Sequence, residues 1–175
     1  MTSFRPSLIF IAVCSLLIGS LSLTAHSKSA VVATPDNLSA ATNQQLAQAR
    51  RATAKYHDIA RAEADGYVNI NIYEGGEGLH YVNFGLVDAN FDPEHPEVLL
   101  YAPVRHENRM ELVAVEYVVP LSLSSVAPAG FAGDADVWRN NSEGLGLWEL
   151  NAWIWLNNSN GIFAFKNPRV PGDED

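Results

Sequence analysis

Glu116 is the residue whose setting is hardest to explain as scaffold. It lies in Glu111–Val119 (ELVAVEYVV), where strand alternation puts it on one face with Leu112, Ala114 and Val118. A carboxylate among aliphatic neighbours is costly unless it is paired or coordinated. Burial also raises its pKa, the condition for a general acid or base. The second notable segment is Leu145–Leu156 (LGLWELNAWIWL). Here Leu147, Glu149, Asn151, Trp153 and Trp155 alternate onto one face, and Trp148, Leu150, Ala152, Ile154 and Leu156 onto the other. A carboxylate, an amide and two indoles are the composition of a ligand-pocket floor. They are equally the composition of a half-exposed sheet face where aromatics supply β-propensity. His80 opens a strand after a glycine-rich stretch and shares a face with Val82 and Phe84. In a curled sheet His80, Glu116, Glu149 and Asn151 converge.

These residues define a candidate ligand-binding set of His80, Glu116, Glu149, Asn151, Trp153 and Trp155. A narrower alternative is a metal site on His80 and Glu116. The competing reading makes Glu116 a structural carboxylate satisfied by an arginine or by backbone donors. No catalytic residue and no cofactor follow from the pattern. There is no HExxH or HxH pair, no GxSxG elbow and no P-loop. Gly75-Gly76-Glu77-Gly78 lacks the following helix of a dinucleotide fingerprint. Asp88, Asn90 and Asp92 match the first ligand positions of an EF-hand. However, Pro93 stands where glycine is required and Leu99 where the bidentate glutamate belongs. The loop Asp88–Pro96 is therefore expected to be a solvated turn of Asx and proline residues.

Several elements must position these groups. From Asp36 to Asp65 no proline or glycine interrupts a stretch rich in Ala, Gln and Arg, which predicts one helix. Asp36, Asn37 or Ser39 caps its start and Gly66 its end. Arg50, Arg51, Lys55 and Arg61 make it the basic element of an acidic chain. After Gly66 the period becomes two. Tyr67–Tyr73, His80–Phe84, Val98–Ala102, Glu111–Val119, Leu145–Leu156 and Ile162–Phe165 are the expected strands. Glu111–Val119 is apolar on both faces and should be central. Leu121–Asn141 has little pattern and is expected to wrap the surface. Connections of hairpin length favour antiparallel order. The fold class is α+β: one N-terminal helix packed on a mostly antiparallel, partly curled sheet of about six strands.

The 175 residues fit one domain. A net charge of −9 opposes nucleic acid as a partner, because phosphates need a basic face. Met1–Ser7 carries one cation, Leu8–Leu23 is apolar, and Ala25-His26-Ser27 fits small-x-small cleavage. Residues 1–27 therefore read as a signal peptide and 28–36 as a linker. Residues 37–171 form the domain and 172–175 an acidic tail. Export to the periplasm or exterior follows, with no stable membrane anchor after cleavage. Cleavage also removes Cys14, the only cysteine.

Gly78-Leu79-His80-Tyr81-Val82-Asn83, Pro96-Glu97-Val98-Leu99-Leu100-Tyr101, Leu112-Val113-Ala114-Val115-Glu116-Tyr117, Trp153-Ile154-Trp155 and Gly161-Ile162-Phe163 through Asn167-Pro168-Arg169-Val170 form a string of short motifs. It resembles an uncharacterised family of secreted bacterial proteins over roughly Leu46–Val170. The resemblance implies bacterial export and no reaction. It also implies a histidine where this chain has Asn151, and two cysteines near Ile70–Ile72 and Pro171 that are absent here. A metal centre on His80 and Glu116 would thereby lose an imidazole, and amides ligate transition metals less well.

Three functions compete on these residues. The first is a secreted small-ligand-binding domain with an aromatic and polar pocket. The second is a metal-dependent enzyme centred on His80 and Glu116. The third is a cell-envelope interaction protein using the basic helix face and the acidic loop.

Overall fold

The computed structural model describes residues 38–106 and 109–172. The expected signal peptide, linker, Asn37 and the last three residues of the acidic tail lie outside the described residues. The helical part opens at Ser39, whose Oγ accepts from the Thr42 amide at 3.0 Å and so caps α1 (Ala40–Thr53). The expected single helix is broken. A 3-10 turn (Ala54–His57) follows, and Asp58 then caps a new helix, α2 (Ile59–Ala64), by accepting from the Ala60 amide. Two local competitors account for the break. Asp58 is a strong N-cap residue. The Tyr56 carbonyl, free of any helical partner, accepts from the Tyr101 hydroxyl at 2.6 Å. Gly66, at φ 96°, ends α2 as expected: its amide bonds the Glu63 carbonyl and the Tyr67 amide bonds that of Ala62.

The sheet has six strands: β1 (Val68–Glu74), β2 (Gly78–Val82), β3 (Val98–His106), β4 (Arg109–Pro120), β5 (Arg139–Asn141) and β6 (Leu147–Ala152). All pair antiparallel in the order β1-β2-β3-β4-β6-β5, leaving β1 and β5 as open edges. The fold is thus α+β, a helical segment on an open antiparallel sheet. β4 is central, and Leu112–Val119 are all buried, so both faces are covered. One face carries Tyr81, Leu99, Tyr101, Val115, Tyr117 and Leu150 and receives Leu46, Ala49 and Tyr56 of the helical part. The other carries Val82, Val98, Leu100, Ala114 and Val118. It is covered by Trp153, Leu156 and Val170 of the C-terminal segment.

Several expectations are corrected. β3 runs on to His106 instead of ending at Ala102. Leu121–Asn141 contributes β5, three residues too short to show a period. β1 does not hold the regular period of two expected over Tyr67–Tyr73. Asn71 adopts φ 56°, its amide bonded to the Asn69 side chain, and the register with β2 shifts there. Val68 and Ile72 are left exposed. Ile162–Phe165 forms turns and no strand. β6 stops at Ala152, because the Val113 carbonyl accepts from both the Trp155 and Leu156 amides and ends the ladder.

The β1–β2 turn excludes a side chain most strictly at Gly78. Gly78 sits at φ 109°, and a Cβ there would lie 2.5 Å from the Tyr101 carbonyl oxygen on β3. Gly146, at φ 71°, faces open space. Urea unfolding should therefore separate the two alanine variants: Gly78→Ala loses more than about 2 kcal/mol and Gly146→Ala about 1 kcal/mol. Equal losses would contradict this packing.

Candidate functional site

Sheet register brings four of the sequence-predicted site residues to one face. Directly opposed residues in an antiparallel ladder point the same way. His80 opposes Leu100, and Leu100 opposes Ala114. Val98 opposes Glu116, which opposes Asn151. Val118 opposes Glu149, which opposes Arg139. His80, Glu116, Asn151 and Glu149 thus share the face turned away from the helices, and all four are buried.

Each is held differently. Glu149 is fully satisfied: Arg139 Nε donates to Oε2 at 2.8 Å, Arg139 Nη2 donates to the same oxygen, and Asn141 Nδ2 donates to Oε1 at 2.7 Å. Arg139 also lies over the Phe165 ring, 3.3 Å from its centroid. His80 Nδ1 lies 3.2 Å from the Ile72 carbonyl. A carbonyl only accepts, so Nδ1 carries the proton and Nε2 presents a bare lone pair. That lone pair faces Glu116 Oε2 at 3.8 Å. Burial lowers the pKa of His80. Burial, reinforced by the charges of Glu149 and Glu77, holds Glu116 well above the usual carboxylate range. Desolvation opposes both charges, so burial works against an ion pair at this contact. Only 10% of the His80 side chain and 6% of the Glu116 side chain are exposed. Among the described residues, no group of three His, Cys, Asp or Glu side chains is arranged to hold a metal ion.

The two predicted indoles part company. Trp153 stays on the polar face but is buried, its Nε1 donating to the Ala164 carbonyl at 2.5 Å, so it closes the site instead of lining it. Trp155 is on the opposite side of the sheet, because the strand alternation that assigned it to the polar face fails after Ala152. Its Nε1 donates to Thr53 Oγ1 at 3.2 Å, and its ring meets His57 edge-on, centroids 4.4 Å apart. There it borders a cleft of about 540 Å³ lined also by His57, Asp58, Ile59, Arg109, Met110, Glu111 and Leu112. Arg109 and Glu111 are 3.4 Å apart.

Sequence reasoning missed Glu77 and the cleft. Glu77 is 1% exposed although it sits in a glycine-rich turn, where a charged side chain reads as solvated. Its visible signal was the pair of flanking glycines, both at positive φ. The acidic loop behaves as expected. Asp88 and Asp92 accept from the Asn90 and Glu94 amides in Asx turns, and Tyr67 and Tyr117 hydroxyls donate to the Pro96 and Pro93 carbonyls. The basic helix face is partly committed: Arg50 Nε donates to the Ile154 carbonyl and Lys55 pairs with Asp65. No family model, curated protein or solved structure matches the chain.

The Glu116 assignment has a consequence for stability. The unfolded chain ionises near the ordinary carboxylate value, whereas the folded chain keeps Glu116 protonated. Its contribution is therefore fully present below that ordinary value and is lost as pH rises toward the folded one. Glu116→Gln should unfold at pH 8 at a urea midpoint equal to or above that of the wild type. A loss of more than about 1 kcal/mol would indicate an ionised Glu116 paired with an imidazolium.

Proposed function

We propose that the chain is an exported small-ligand-binding domain, periplasmic or extracellular, whose ligand occupies the cleft bordered by Trp155 and His57. The observation that carries this reading is the cleft itself. It has about 540 Å³ of space, within the range of pockets that hold drug-sized molecules. Its composition suits an amphipathic ligand. Ile59, Leu112, Met110 and the Trp155 ring supply apolar contact, and Met110 adapts to irregular shapes. Asp58, Arg109 and Glu111 supply charged groups of both signs in its lining. Fixed walls support the reading further. Trp155 is anchored on Thr53, which itself bonds the Ala49 carbonyl at 2.7 Å, so the indole is held before any ligand arrives. Export rests on the apolar run Leu8–Leu23 and the small residues after it.

The polar face has a different role in this proposal. His80, Glu116, Glu149 and Asn151 do not touch the ligand; they set the structure and its response to pH.

Binding is read by intrinsic fluorescence against a set of amphipathic aromatic amines and carboxylates. A ligand of the cleft perturbs the emission of the wild type and of Trp153→Phe. Trp155→Phe loses the signal, and calorimetry on that variant shows affinity weakened by about tenfold or more, as expected for an aromatic anchor. Unchanged affinity in Trp155→Phe would remove the cleft as the site.

A further inference from the structure

Two leftover polar atoms, one in the β1–β2 turn and one on β6, belong to one pair. Asn151 Nδ2 donates to the Phe165 carbonyl at 2.9 Å and to Glu77 Oε2 at 3.5 Å. The Phe165 carbonyl can only accept, which fixes the orientation of the amide. Asn151 Oδ1 is then an acceptor, and it is buried without a partner; so is Glu77 Oε1. Two acceptors left over in adjacent side chains cannot satisfy each other unless a proton lies between the groups.

We propose that Glu77 carries a proton in the folded protein and forms with Asn151 a reciprocal acid–amide pair, a pH-sensitive latch that fastens the C-terminal segment to the β1–β2 turn. In this pair the acid O–H donates to Asn151 Oδ1 while Asn151 Nδ2 donates to the other carboxyl oxygen. No buried acceptor is then left over. The latch has mechanical reach because the segment beyond Asn151 is hung on the same turn. The Asn167 amide donates to the Gly76 carbonyl at 2.8 Å, the Gly76 amide donates to the Pro171 carbonyl at 3.2 Å, and the Tyr73 hydroxyl donates to Pro171 at 3.1 Å. Trp153, Leu156 and Val170 of that segment pack on Val82, Val98, Leu100, Ala114 and Val118 of the sheet.

The surroundings favour the proton. Glu74 on β1 lies close enough to share a hydrogen bond with Glu77 and adds negative charge, while the Asn151 amide and Arg139 on β5, already engaged by Glu149, pull the other way. Glu116 on β4 and Glu149 on β6 are further carboxylates on the same face, and His80 on β2 is neutral. Lys166 lies against Gly76 through its aliphatic stem. Burial, helped by Glu74, pushes Glu77 up to about 8. The stabilisation is complete below the ordinary carboxylate value and is lost as pH rises through about 8. Above that point an ionised Glu77 faces a lone pair on Asn151, and the wrap should loosen.

The test combines a titration with amide exchange on the full domain. The Glu77 side-chain carboxyl, followed by carbon NMR, should titrate at 7 or above, roughly 3 units over the ordinary value. Protection of the Asn167 amide should fall by up to about tenfold per pH unit between 5 and 8 and level off above 8, while that of the Tyr67 amide at the end of α2 does not. Glu77→Gln presents the same donor and acceptor as the protonated acid, so Asn167 protection should become independent of pH in that variant. An ordinary titration midpoint between 4 and 5 would overturn the proposal. So would a pH-dependent loss of Asn167 protection that persists in Glu77→Gln. If that variant does not fold, the titration of the wild type decides alone.

Discussion

Glu116 and Glu149 are buried on one face of the sheet and Glu77 in the β1–β2 turn beside it, with the Arg139 guanidinium among them. An isolated buried carboxylate costs several kcal/mol, so three cannot all stay ionised beside one cation. Glu149 takes the cation, and burial with mutual repulsion drives the other two toward their protonated forms. Much of the local architecture follows from that allocation. β5 exists as a short edge strand that carries Arg139 and Asn141 to Glu149. The C-terminal segment closes over the same face and brings Phe165 against both Arg139 and Asn151.

The two faces of the sheet divide the labour. The helix-covered face is aromatic, with tyrosine hydroxyls used as tethers: Tyr101 to the Tyr56 carbonyl, Tyr67 and Tyr117 to the acidic loop. Its edge opens at the joint between the 3-10 turn and α2, where Trp155 and His57 border the cleft. The opposite face is covered by Trp153, Leu156 and Val170. The same short sequence, Trp153-Ile154-Trp155, supplies both sides, because the chain leaves the ladder between its two indoles.

Much of this was legible in the sequence, and the failures have local causes. Ser39 and Gly66 announce the ends of the helical segment through cap chemistry, which acts within a few residues. Glu111–Val119 announces a central strand through apolar residues on both faces. Glu116, Glu149 and Asn151 were assigned to single faces by alternation alone, and register then joined them. Alternation failed for Trp155, because the bonds that end β6 come from Val113, distant in sequence. It failed at Asn71 because a side chain captured the local amide. Asp58 was hidden inside a good helical composition, where a cap and a helix former compete. Glu77 was least legible: what buries it is the return of residues 163–171, and nothing near the turn encodes that.

The central claim is that folding takes up protons because the face opposite the helices, and the buried Glu97, hold carboxyl groups neutral. Glu97 also titrates at about 8, raised by burial although Val118 donates to its Oε2 at 3.1 Å. The direct measurement is the urea unfolding free energy from pH 5 to 9 at constant ionic strength. Each proton taken up on folding lowers stability by about 1.4 kcal/mol per pH unit. The account predicts a fall between pH 5 and 8 steeper than one proton accounts for, flattening above the folded values near 8. Stability that is flat or rises toward pH 8 would mean that these carboxylates are ionised and paired in the native state, and would contradict it.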